Sequence, residues 1–151
     1  MYSRLFKFFL ILFLSYQTPL YSKSISFDNF NSKDLSNYFS GIVANENKKN
    51  LEALKFFNLS KSLINQHDDY LKRLVTTLVL EKKVPQAINV IKNNKDKKNT
   101  NFFDAYLILI MNNLKNDNID EAYDNLEIAF NLVDKDGFSL AILETLKQYI
   151  F

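Results

Sequence analysis

The 151-residue chain has no cysteine, which excludes both a disulfide framework and a thiolate metal site. It has two glycines and two prolines, poor material for turn-rich β structure. The glycines, Gly41 and Gly137, lie 96 residues apart, so no glycine loop can cradle a phosphate. No serine stands in a Gly-x-Ser-x-Gly elbow. His67 is the only histidine, and it lacks a second imidazole, a nucleophile or a spaced partner. Followed by Asp68 and Asp69, it reads as a wet turn residue beside a helix cap. Charge of one sign is lacking too. The formal +2 comes from Arg4 and Lys7, and residues 1–22 hold no acid. Beyond them 17 basic residues balance 17 acidic ones, which speaks against nucleic acid as a partner.

What is present begins with a leader. Arg4 and Lys7 form a positive start, and the apolar run Phe8–Leu14 follows. Pro19 and then Leu20-Tyr21-Ser22 make a cleavage site, so residues 1–22 are expected to be a secretory signal peptide. Seven apolar residues are far fewer than the roughly 20 that span a bilayer. An uncleaved N-terminal anchor, the membrane's one route to this chain, is the alternative. Residues 23–31 read as a lead-in.

Residues 32–151 carry apolar residues at helical spacing, and aromatics at 15% with apolar residues at 47% suffice for a core. Ser32 is expected to cap a first helix burying Leu35, Tyr38, Phe39 and Ile42, with Gly41 leaving room for another helix to approach. A second, from Leu51 to about Ile64, is expected to bury Ala53, Leu54, Phe57 and Leu63. Asp68 is the expected cap of a third, with Leu71, Leu74, Val75 and Leu78 inward. Pro85 opens a fourth in its first turn, where its missing N–H costs nothing. Lysine-rich residues 92–98 read as a helix end and a solvated loop. The fifth helix buries Phe103, Tyr106, Leu107, Ile110 and Leu114. The sixth is expected to run from Ile119 to Val133, with the acids Asp120, Glu121 and Asp124 crowding its start and suiting the helix dipole rather than a metal. The seventh, after Gly137, aligns Ile142, Leu143, Leu146, Tyr149 and Ile150. Asn58-Leu59-Ser60 matches a glycosylation acceptor but falls within a helix, which argues against its use.

Ala53, Ala87 and Ala122 are separated by 34 and 35 residues, each near the start of a helix that follows a polar turn. A fixed period of that length marks a helical repeat array. Each pair also has apolar residues on more than one side, too many for an isolated hairpin to hide, so neighbours must stack.

With the alanines in register the chain resembles the tetratricopeptide repeat (TPR) family over about Ser32–Val133. Gly41, Ala53, Ala87 and Ala122 match its small-residue positions, as do Ser60 and Ala129. Val75, Ile110 and Asn94 depart from them, and the proline that usually ends a unit is replaced by Asn65, Asn99 and Asp134. The resemblance implies an all-α, right-handed solenoid of about three antiparallel pairs plus a C-terminal helix, either a cap or the start of a further unit. It also implies a concave groove that holds a peptide or partner protein, lined here by Tyr38, Asn45, Asp69, Lys72, Thr76, Asp104 and Met111. The expectation is a non-catalytic interaction scaffold, without metal or cofactor, exported to the periplasm of a bacterial envelope. The alternative is the N-terminal part of a longer solenoid whose working surface lies further on.

Overall fold

In the computed structural model the described residues are 31–95, 100–134 and 137–150. The expected signal peptide, most of the lead-in, and Lys97 and Lys98 of the lysine-rich loop lie outside them. Every regular element among the described residues is helical. They are α1 (Ser32–Glu46), α2 (Asn50–Leu59), a 3-10 turn (Lys61–Asn65), α3 (Asp68–Leu80), α4 (Val84–Lys92), α5 (Phe103–Lys115), α6 (Ile119–Phe130) and α7 (Phe138–Ile150). Among the described residues no helix is long and apolar enough to cross a membrane.

Three of the connecting turns are built alike. Lys48, Lys82 and Asp117 adopt left-handed backbone, with φ of 60°, 59° and 57°. At the first, the N–H of Lys48 donates to the Asn45 carbonyl at 2.8 Å and that of Lys49 to Ala44 at 2.9 Å. Lys82 and Lys83 repeat the pattern onto Val79 and Leu78, and Asp117 and Asn118 onto Leu114 and Asn113. This paired closure satisfies carbonyls that a helix end would otherwise leave orphaned. The next helix then starts at once, and Ala53, Ala87 and Ala122, all fully buried, donate their N–H groups back to Lys49, Lys83 and Asn118.

Each helix packs on its sequence neighbours, and α3 also touches α1 and α5. One buried cluster runs from Tyr38 to Leu109, and a second gathers Tyr106, Ile110, Leu126, Ala129 and Leu143. Helix α5 belongs to both, giving Ala105 and Leu109 to the first and Tyr106 and Ile110 to the second. At Gly41 a Cβ would come within 2.7 Å of the Phe57 ring, so the missing side chain is what lets α2 lie so close to α1.

Several expected boundaries move. The cap of α1 is Asn31, whose side chain accepts from the Lys33 N–H at 3.0 Å, and Ser32 is already helical. At α3 the extended residue is His67, which leaves Asp68 and Asp69 in the first turn, where the dipole favours acids. Helix α2 stops at Leu59 instead of reaching Ile64. Ser60 Oγ donates to the carbonyls of Phe56 and Phe57, and the Tyr70 hydroxyl also donates to Phe57, so the chain tightens into the 3-10 turn. Ser60 itself is buried. Helix α6 ends at Phe130, and Val133 packs from the turn beyond. Phe39 and Tyr149, expected on inward faces, are exposed.

Candidate functional site

The face of α3 that carries Asp69, Lys72, Arg73 and Thr76 has the spacing i, i+3, i+4, i+7, so four polar side chains stand in one row. Together with Asn45 at the end of α1 they line a depression of about 290 Å³. Asn45 is held from both sides. Its amide donates to Thr77 Oγ1 at 2.9 Å and to Asn50 Oδ1 at 3.3 Å, and the Thr77 hydroxyl donates to the Arg73 carbonyl at 2.7 Å. That hydrogen-bond chain fastens α1 to α3, so Asn45 forms a fixed wall with its donors already engaged.

Lys72 Nζ lies 3.7 Å from Asp104 Oδ2, an ion pair linking α3 to α5 with side chains 53% and 49% exposed. At that exposure the pair adds little to stability, about 1 kcal/mol at most. It does fix both charges on the same surface.

Of the seven groove residues expected from the sequence, Asn45, Asp69, Lys72 and Thr76 are therefore brought together, and Asp104 joins them through Lys72. Tyr38 is not on that surface. It is 1% exposed, its ring 4.6 Å from His67, 5.9 Å from Tyr70 and 6.0 Å from Phe57. Burial raises the pKa of its hydroxyl, while Arg73 lowers it and Asp69 adds to the rise. Met111, 53% exposed, lines a separate apolar depression of about 530 Å³ between the start of α4 and α5. Arg73 was missed, although its i+4 spacing from Asp69 was readable. His67 is not a wet turn residue: its ring is half-buried against Tyr38, and its Nδ1 is buried without a hydrogen-bond partner.

Among the described residues no group of three or more His, Asp or Glu side chains is placed to hold a metal ion. Chemically, the surface offers alternating charges, a hydroxyl and a neighbouring apolar hollow. No protein-family model, no curated protein and no solved structure matches the chain.

Proposed function

We propose that the chain is a non-catalytic interaction module of the TPR type, a right-handed solenoid that binds a segment of a partner protein across α3 and α5. The observation that carries this reading is the gathering of Asn45, Asp69, Lys72, Arg73 and Thr76 around one depression, with Lys72 tied to Asp104 on the next first-of-pair helix. Support for stacked pairs comes from the turns. Left-handed residues recur after 34 and then 35 residues, the same steps that separate Ala53, Ala87 and Ala122. The double membership of α5 in the two buried clusters is what stacking requires.

The proposed setting is the periplasm of a bacterial envelope, a reading supported by the positive start and apolar run within residues 1–22. Crosslinking in the native envelope, followed by capture with Lys72→Glu and Asp104→Lys variants, tests the binding reading. Both variants are expected to lose partners that the wild type retains. Identical capture by all three proteins would remove the assignment of this surface.

A further inference from the structure

The face through which α3 meets the preceding pair has a counterpart on α1 that nothing among the described residues covers. On α3, the Tyr70 hydroxyl donates to the Phe57 carbonyl, Leu74 is buried, and Thr77 accepts from the Asn45 amide. Thirty-four residues earlier stand Ser36, Ser40 and Val43, with Phe39 beside them on the same side of α1. Phe39 and Val43 are 55% and 61% exposed. They line a depression of about 520 Å³, which adjoins another of about 640 Å³ at Phe56, where Leu51 and Leu59 are exposed as well. Helix α1 and its partner thus show the stacking face of a helix pair, apolar and open.

The last helix is open too. Leu143, fully buried, turns one side of α7 towards α6, while Phe138, Ile142, Thr145 and Tyr149, spaced i, i+4, i+7 and i+11, share another. Phe138 is 83% exposed and Tyr149 77%. The two ends carry opposite charge. Residues 47–61 hold four lysines and one acid, Glu52, which Lys49 already meets at 3.8 Å, and Glu81 is the other acid at that rim. Residues 117–144 hold eight acids and one lysine, and Lys147 of α7 sits over the Phe130 ring, 5.6 Å from its centre. We infer that the open face of α1 and α2 takes a second copy of the chain, which docks through its α7 end. Continuity and charge select this occupant. The α1 positions are those that α3 already uses for packing within the chain, and lysines at one end meet acids at the other. Such a contact is head to tail, so each copy keeps a free end and the assembly grows as a chain of copies. It goes beyond the partner-binding role and leaves the α3–α5 surface open, repeated once per copy.

Sedimentation velocity of the full chain tests this. The wild type is expected to move from monomer to dimer and larger species as its concentration rises, and back towards monomer in high salt. Val43→Glu blocks one end and Tyr149→Lys the other, and each alone should weaken association by about tenfold or more. Mixed together, the two variants bring one intact face each and should form a dimer that grows no further. Both positions are exposed, and unchanged circular dichroism would show that the variants fold. Lys72→Glu is expected to sediment as the wild type does, which separates this contact from the partner-binding surface. A wild type that stays monomeric at every concentration overturns the proposal. So does head-to-head pairing, in which Tyr149→Lys still dimerises and mixing adds nothing. Val43-dependent binding of anionic vesicles or of another envelope protein by a chain that remains monomeric would overturn it as well.

Discussion

The hydroxyl of Tyr70 on α3 donates to the main-chain carbonyl of Phe57 on α2, with both side chains fully buried. That bond joins those of the Ser60 hydroxyl in ending α2, and it seats α3 on α2. Tyr70→Phe should cost about 1 kcal/mol, the net worth of one hydrogen bond, because the Phe57 carbonyl keeps the Ser60 N–H and hydroxyl as donors. Urea denaturation measures the loss, and exchange of the α2 amides should rise with it.

The same phenol predicts an alkaline transition. Burial pushes the Tyr70 pKa up to about 12 from 10.0, so the folded state holds this proton more tightly than the unfolded chain. The stabilisation is complete below pH 10 and is lost as pH rises towards 12, at about 1.4 kcal/mol per unit. Tyr38 and Tyr106, also raised by burial, act in the same direction. Unfolding followed against pH should steepen above 10 and be shallower in Tyr70→Phe.

Gly41 and Phe57 form a size-matched pair; 34 residues on stand Val75 and Ile91, and 69 residues on stand Ile110 and Leu126. Gly41→Ala should destabilise by about 1–3 kcal/mol, since the new methyl meets a buried ring. Adding Phe57→Ile should recover part of the loss, and a double-mutant cycle measures the coupling.

Lys48 and Lys82 hold left-handed backbone that a side chain strains by about 1–2 kcal/mol. Lys82→Gly should therefore raise stability slightly, by about 0.5–1 kcal/mol after the unfolded-state entropy of glycine is counted. Thermal unfolding tests this, and a lowered midpoint would contradict the turn geometry.

What was readable beforehand follows from locality. The steps from Ala53 to Ala87 to Ala122 mark helix starts because each alanine is buried where its helix leaves a turn, a demand met within a few residues. The end of α2 was not readable, because the Ser60 hydroxyl that turns back onto it is joined by another hydroxyl from Tyr70 on the next helix. Tyr38 was expected inward from its helical spacing and in the groove from the family resemblance; the first expectation holds, because the rings of His67, Phe57 and Tyr70 close around it. Asp69, Lys72 and Thr76, named through the family resemblance, share one face of α3 because their spacing of i, i+3 and i+7 requires it. The apolar hollow at Met111 was missed because it joins residues of α3, α4 and α5 that no single helix face brings together.

Removing the α3–α5 ion pair should separate stability from binding. Lys72→Ala is expected to change folding free energy by less than about 1 kcal/mol, as half-exposed pairs do. The same substitution should weaken capture of the partner, and a large folding defect instead would show that Lys72 is a structural residue.

The most direct measurement is amide chemical-shift mapping of the full chain titrated with the partner segment that crosslinking in the native envelope identifies. The account predicts the largest changes at Asp69, Arg73, Thr76 and Asp104, along α3 and α5. Changes confined to α2 and α6, or none when the segment is saturating, would contradict it.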